Sequence, residues 1–325
     1  MLKPTQSHFT AQQVRFESGA VLPELRMAYT TLGQPSSPAV LLLHGSNGSG
    51  ADFLNPAFAG ELFGAGQPLD AAQHFIIMPD ALGAGQSSKP SDGLRMQFPA
   101  YSTTDMVAAQ HRLITQHLGI ARLKLVLGHS MGGMHTWLWA QQFPAMMALV
   151  VPLACLPIAM GGRNWMLRRL LVEAIQGDAA WLGGDYTAQP PSFKFASLLF
   201  NTATNGGTAA LMHAAPTAQL ADAWVDARLN APVTGDANDH IYQWLASRSY
   251  DPSPHLERIQ AQVLAINAAD DERNPLELGV LSAALQRVRR ASEFIIPASA
   301  HTAGHATTLQ AALWKGALIQ ALAGI

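Results

Sequence analysis

The pentapeptide Gly128-His129-Ser130-Met131-Gly132 constrains this chain more than any other feature, because of what flanks it. Before it runs Leu123-Lys124-Leu125-Val126-Leu127, a short apolar stretch that reads as a strand buried on both faces. After it comes a helical stretch, 131–143, stopped by Pro144. A chain that passes from buried strand to helix through one sharp turn needs small residues two positions to either side, and Gly128 and Gly132 supply them. The serine between them sits on strained backbone with its hydroxyl presented outwards. The helix N-terminus points at the same spot, where it stabilises developing negative charge. Ser130 is therefore the candidate covalent nucleophile.

The same strand-then-glycine pattern recurs along the chain. The apolar run 39–43 ends in the glycine-rich stretch 44–50, and the run 75–78 ends at Pro79-Asp80 and a second glycine loop, 83–87, that reads as a tight turn. A short helix is expected at 56–63, and a longer one at 104–118 with Thr103 or Thr104 as N-cap and Gly119 as C-cap. A further buried strand is expected at 148–153. Strand alternating with helix predicts an α/β fold with a mostly parallel central sheet and right-handed crossovers. The segment 14–33, with Gly19 and Pro23, reads as one or two antiparallel strands and a turn. From 157 to 250 the rhythm breaks into helical pieces at 163–175, 195–201 and 220–230 with no strong buried strand. That predicts a helical lid, 157–250, inserted into a core made of residues 1–156 and 251–325. The α/β pattern returns with a strand at 263–266, a helix near 276–288, a strand at 293–296 and a last helix at 307–322.

Composition removes several function classes. Charged residues are 13% of the chain, the net charge is −2, and no run of Lys or Arg marks a nucleic-acid or anionic-lipid surface. No apolar stretch is long enough to cross a bilayer. The single cysteine, Cys155, rules out an internal disulfide and a Cys-ligated zinc site, and its apolar neighbours mark it as a buried thiol. No His-Glu-x-x-His spacing occurs, so neither a metal nor a cofactor is expected. The first 13 residues are polar and lack the apolar core of a signal peptide, so a cytoplasmic location is expected, or a periplasmic or secreted one if an export segment preceded Met1. The expected partner is a small-molecule acyl substrate, and assembly as a homodimer is left open.

A serine hydroxyl attacks only when a base takes its proton, and an acid must orient that base. On a strand–turn–helix scaffold the partners follow in the order serine, acid, histidine. The acid belongs in the loop after the strand 263–266, where Asp270, Asp271 and Glu272 compete. Asp271 is favoured, four residues before Pro275, with Asp270 the alternative and Glu272 read as a solvated side chain. The base belongs after the last strand, where His301 and His305 both qualify. His305 is favoured because it follows Gly304 and directly precedes the last helix, while His301 is expected to face solvent. His129 is expected to pack beneath the turn. The oxyanion hole needs two backbone N–H donors: Met131, next to the nucleophile, and Ser46 from the first glycine loop, with Asn47 as the alternative. Losing one such donor costs about 3–4 kcal/mol of transition-state stabilisation. The tryptophans at 137, 139, 165, 181, 224 and 244 are expected mainly in the core.

Taken together, these residues resemble the α/β-hydrolase superfamily across nearly the whole chain. More narrowly, they resemble its homoserine O-acetyltransferase branch, through Ser18-Gly19 with Leu25–Gly33, Thr104–Gln110, Ser130–Met134, Ile175–Asp178 with Gly184–Tyr186, Asp271–Pro275 and Gly304-His305. The resemblance implies Ser130, Asp271 and His305 as the catalytic triad. Three departures accompany it. Ala306 stands where the acetyltransferases carry an aspartate that holds the amino-acid acceptor, His129 gives Gly-His-Ser rather than Gly-Gly-Ser, and the lid is shorter, without the arginine-rich acceptor-binding stretch intact. The expectation is therefore a serine hydrolase of the esterase type, akin to shorter, hydrolase-like relatives of that branch, with an O-acyltransferase using acyl-CoA as the alternative.

Overall fold

In the computed structural model, which describes residues 3–325, the chain opens with a hairpin. Met1 and Leu2, the start of the polar N-terminal stretch, lie outside the described residues. β1 (Thr5–Arg15) and β2 (Val21–Leu32) pair antiparallel. β3 (Ala39–Leu43), α1 (Ala59–Leu62), β4 (Phe75–Pro79), α2 (Thr103–Arg112), β5 (Leu123–His129), α3 (Met131–Gln142) and β6 (Met147–Leu153) then alternate as predicted. Between β6 and β7 come α4 (Gly162–Gln176), α5 (Pro191–Thr204), α6 (Thr208–Ala214), α7 (Ala218–Asn230) and α8 (Ala237–Ala246). β7 (Gln262–Ala268), α9 (Val280–Leu285), β8 (Ala291–Ile296) and α10 (Lys315–Leu322) complete the chain. The strands form one sheet of eight in the order β1-β2-β4-β3-β5-β6-β7-β8. β2 meets β4 antiparallel, and every pairing from β4 to β8 is parallel.

The parallel strands are apolar throughout because both sheet faces are covered. Side chains alternate across a strand, so each strand feeds two cores. Leu41, Leu43, Val126 and Val150 face α3, where Trp137 and Trp139 are fully buried. Val40, Leu42, Leu125 and Leu127 face the other way, against Phe58, Phe63 and Trp314. Trp139 is buried with its Nε1–H donated to Gln110 Oε1 at 2.9 Å, so that polar atom carries no desolvation cost.

Several boundaries differ from the sequence expectation. β1 reaches back to Thr5; as an edge strand it is mostly exposed and shows no alternation, and only its pairing with β2 defines it. The N-cap of α2 is Ser102, not Thr103 or Thr104: Ser102 Oγ accepts from Asp105 N–H at 3.2 Å while Asp105 Oδ2 accepts from Ser102 N–H at 2.9 Å, a reciprocal box. The helix expected at 276–288 is cut to Val280–Leu285, because Gly279 turns left-handed at φ 63. The last helix starts only at Lys315; before it, residues 304–313 form two 3₁₀ turns in which Thr307 Oγ1 accepts from Ala303 N–H at 2.8 Å. α6 and α8 were not expected at all.

Trp314 ties this C-terminal segment to the sheet: it is buried, 5.9 Å from the Phe58 ring centroid, and its Nε1–H donates to Thr308 O at 2.8 Å. Trp314→Ala is expected to cost about 3–5 kcal/mol, read as a lowered midpoint in urea denaturation.

Candidate active site

β5 delivers the chain to the C-terminal edge of the sheet, and Ser130 turns it at once into α3. Ser130 has φ 55 and ψ −110, a conformation that an L-residue adopts only at a cost of about 1–3 kcal/mol. Packing enforces it. A Cβ on Gly132 would collide with the carbonyl oxygens of Leu43 and His44, and one on Gly128 with the carbonyl of Gly132. The Ser130 N–H donates to Leu153 O at 2.9 Å and its carbonyl accepts from Met134 N–H at 3.0 Å, so both backbone groups are satisfied.

The side chain of Ser130 is held in a chain of hydrogen bonds. His305 Nδ1 lies 2.9 and 3.0 Å from the oxygens of Asp271, and His305 Nε2 lies 2.8 Å from Ser130 Oγ. An ionised carboxylate only accepts, so Nδ1 carries the proton and Nε2 is left to accept from the serine hydroxyl. All three residues are buried. Burial alone would push the Asp271 carboxyl up, but His305, the Asn274 side chain and the Arg273 N–H bring it down to about 2. Burial pushes the His305 imidazole below its ordinary value, against the pull of Asp271 and with the help of Arg273. The resting state is therefore an aspartate beside a neutral imidazole.

The alternatives lie elsewhere in the network. Asp270 accepts from Thr302 Oγ1–H at 2.7 Å and Gly304 N–H at 3.2 Å, so it fastens the loop that carries His305 without touching the imidazole. His301 is exposed, with its carbonyl accepting from Gln310 at 3.1 Å. Glu272 departs from the expectation of a solvated side chain: one oxygen accepts from Gly207 N–H at 2.7 Å and the other from His305 N–H at 3.3 Å. It thereby links the segment between α5 and α6 to the histidine. His129 is buried beside the base: its ring is 5.3 Å from that of His305, and Nδ1 meets Thr308 Oγ1 at 3.0 Å.

The two backbone donors expected for the oxyanion hole belong to residues beside the serine: Met131 follows it in the chain, and Ser46 lines the same cavity. Met131 opens α3, where its N–H has no intrahelical acceptor. The Ser46 N–H has no partner among the described residues, whereas the Asn47 N–H is taken by Gln243 Oε1 at 2.6 Å. Gln243 Nε2 in turn donates to Gly83 O at 2.7 Å. This buried amide, from α8, pins the loop after β3 from a distance of 196 residues in sequence. No local signal announces it.

Residues 38–305 match the profile of the family described as alpha/beta hydrolase fold. The chain belongs to the α/β-hydrolase family. A probable acyltransferase from Methanothermobacter thermautotrophicus is 28% identical over 283 residues, 85% of each chain. A homoserine O-acetyltransferase from Haloferax prahovense is 35% identical over 192 residues, 53% of this chain and 45% of that one. The chain thus spans about half the length of the homoserine O-acetyltransferases it matches. An acetylester hydrolase from Corynebacterium glutamicum has the same fold, with a TM-score of 0.82, 21% identity, and cover of 98% of this chain and 96% of that one.

In this α/β-hydrolase, Ser130 and His305 lie at the meeting point of two cavities. One, of about 320 Å³, runs between the loop after β3 and the inserted helices, and includes Ser46, Asn205, Trp244 and Ala306 in its wall. The other, of about 730 Å³, runs past Cys155, Arg168 and Tyr250. Arg273 lines both. Of the tryptophans, Trp137 and Trp139 are core while Trp244 reaches the smaller cavity. Gly132→Ala is expected to destabilise the fold by about 3 kcal/mol through overpacking against Leu43, seen as a lower melting temperature.

Proposed function

We propose that the protein is a serine hydrolase that cleaves an ester or related acyl substrate through an acyl-enzyme on Ser130. The observation that carries this reading is the hydrogen-bonded series Ser130–His305–Asp271 at the junction of two cavities. His305 Nε2 takes the serine proton as Oγ attacks the carbonyl carbon. The negative charge that develops on the carbonyl oxygen is held by the N–H groups of Met131 and Ser46. The protonated His305, stabilised by Asp271, then gives its proton to the leaving alcohol. Water, deprotonated by the same nitrogen, releases the acid and restores the serine. The strain at Ser130 and the neutral resting imidazole both suit this role.

An O-acyltransferase reading shares the acyl-enzyme and differs only in what attacks it. The curated relatives named as acyltransferases favour it. Ala306 speaks for water as the attacking group: it lines the smaller cavity beside His305 and offers no carboxylate to hold an amino-acid acceptor. The two readings separate on one measurement: acyl-CoA consumption that requires an added hydroxy amino acid supports transfer, and ester turnover without any acceptor supports hydrolysis.

Ser130→Ala is expected to abolish labelling by a fluorophosphonate probe while the circular dichroism spectrum stays native; persistent labelling would overturn the assignment. The pH profile follows from His305. The base must be neutral to act, and its pKa lies below the ordinary 6.5 because burial outweighs the attraction of Asp271. Activity is thus retained as pH falls through 6.5, and the acid limb of kcat/KM, which reports the free enzyme, is expected to have its midpoint below that value. A midpoint above it would contradict the neutral resting imidazole.

A further inference from the structure

Four polar groups in the smaller cavity have no partner that explains them. The hydroxyls of Ser46 and Ser197 and the Oδ1 of Asn205 are buried without a hydrogen bond, and all three residues line the cavity. The fourth is the guanidinium of Arg273. Its Nε–H is spent on Thr204, at 3.1 Å to the carbonyl and 3.2 Å to the hydroxyl, and its plane lies 4.8 Å from the Phe200 ring centroid. That leaves both Nη groups without a partner among the described residues. The ion pairs formed by arginine and lysine involve other residues: Arg26, Lys89, Arg95, Arg169, Arg287 and Lys315.

Arg273 is half-buried, and a cation withdrawn from water in part is normally paired, because desolvation penalises it when it is alone. The carboxylates near Arg273 are already engaged. Asp271 accepts from His305 and Asn274, Glu272 accepts from Gly207 and His305, and Asp52, in the cavity wall, accepts from Ser49 at 2.9 Å. Burial pushes His240, in the same wall, down to about 4, so it adds no competing cation. Arginine carries a planar fork that matches a carboxylate in two parallel bonds.

We propose that the smaller cavity is a carboxylate subsite, so that the acyl substrate carries a carboxylate on its acid or its alcohol part, held by Arg273 with Ser197 and Asn205. This rests on the acyl-enzyme reading above. The Ser197 hydroxyl donates a third bond to the anion. Asn205 presents its amide, which turns to offer either oxygen or NH₂. At about 320 Å³ the cavity fits a short chain rather than a long acyl tail. Ser130 Oγ lies in the same wall, so a carboxylate on Arg273 sets the distance at which the scissile carbonyl meets the serine.

The test compares matched esters with the full chain. In one arm, mono-4-nitrophenyl glutarate is set against 4-nitrophenyl butyrate, which puts the charge on the acid part. In the other, 3-acetoxypropanoate is set against propyl acetate, which puts it on the alcohol. The expected result is that the charged ester of one arm has at least tenfold higher kcat/KM than its neutral partner. Arg273→Leu is expected to lower that charged-to-neutral ratio about 30-fold, while Arg273→Lys keeps part of it, as loss of the cation that pairs with a carboxylate requires. If neither charged ester is preferred, or if the preference survives Arg273→Leu, the subsite is overturned, and Ser130 labelling by a fluorophosphonate shows that the acyl chemistry still stands. If Arg273→Leu does not fold, glutarate should inhibit butyrate-ester turnover by the unaltered protein competitively, with a Ki at least tenfold below that of glutaramide; equal inhibition overturns the subsite. Failure of both labelling and ester turnover brings down the acyl-enzyme reading and the subsite with it.

Discussion

Where β5 ends, Gly128, Ser130 and Gly132 lie so close to Leu43, His44 and one another that no side chain fits at either glycine. That crowding forces Ser130 to φ 55, and the strain is held by the cores on both sides of the sheet rather than by the turn itself. The consequences radiate outwards. The serine hydroxyl is lifted off the sheet edge toward His305, the Met131 N–H at the start of α3 has no partner among the described residues, and the loop after β3 packs against the serine at Gly45. A looser turn would move the serine away from partners that other contacts hold in place: Gln243 pins the loop after β3, and Asp271 and Glu272 hold His305.

The acidic run after β7 shows how one short segment divides its labour. Asp270, Asp271 and Glu272 all reach the segment that carries His305, but at different atoms. Asp270 holds the backbone of that segment, Asp271 holds the imidazole, and Glu272 holds the His305 N–H and the Gly207 N–H from the inserted helices. Histidine position is thus coupled to the helical insertion through a carboxylate that does not touch the imidazole. Arg273, next in sequence, offsets the concentration of negative charge and also repels a proton on His305. The same four residues therefore fix geometry and electrostatics at once.

The helical segment between β6 and β7 does more than roof the site. Gln243 on α8 captures the Asn47 N–H, Thr204 at the end of α5 aims Arg273, and Gly207 meets Glu272. The first two contacts join the insertion to walls of the smaller cavity, and the third joins it to Glu272, in the wall of the larger one. Exposed apolar side chains such as Met166, Leu170, Phe195 and Leu199 lie on α4 and α5 of this segment.

The local features of the chain were legible from sequence because they obey short-range rules. Buried parallel strands read as continuous apolar runs, a strand–turn–helix with glycines two residues away demands its turn, and the order of serine, acid and histidine follows from which strands end at the same sheet edge. These rules single out Ser130 and favour Asp271 over Asp270 and His305 over His301, and the structure brings the side chains of Ser130, His305 and Asp271 into contact. The length of β1, the start of α10, the role of Glu272 and the bridge through Gln243 were not legible. Each depends on what lies opposite in space: an edge strand shows no alternation until its partner is known, a threonine-rich turn gives up its helix when its hydroxyls bond locally, and a carboxylate reads as solvated until a distant N–H arrives. Sequence by itself determined the sheet, the turn at Ser130 and its short-range neighbours, because backbone sterics and burial act over a few residues. Only the tertiary structure decided which polar groups are paired and which, like the Arg273 guanidinium, are left facing a cavity, because hydrogen-bond satisfaction is a property of the folded surroundings rather than of any segment.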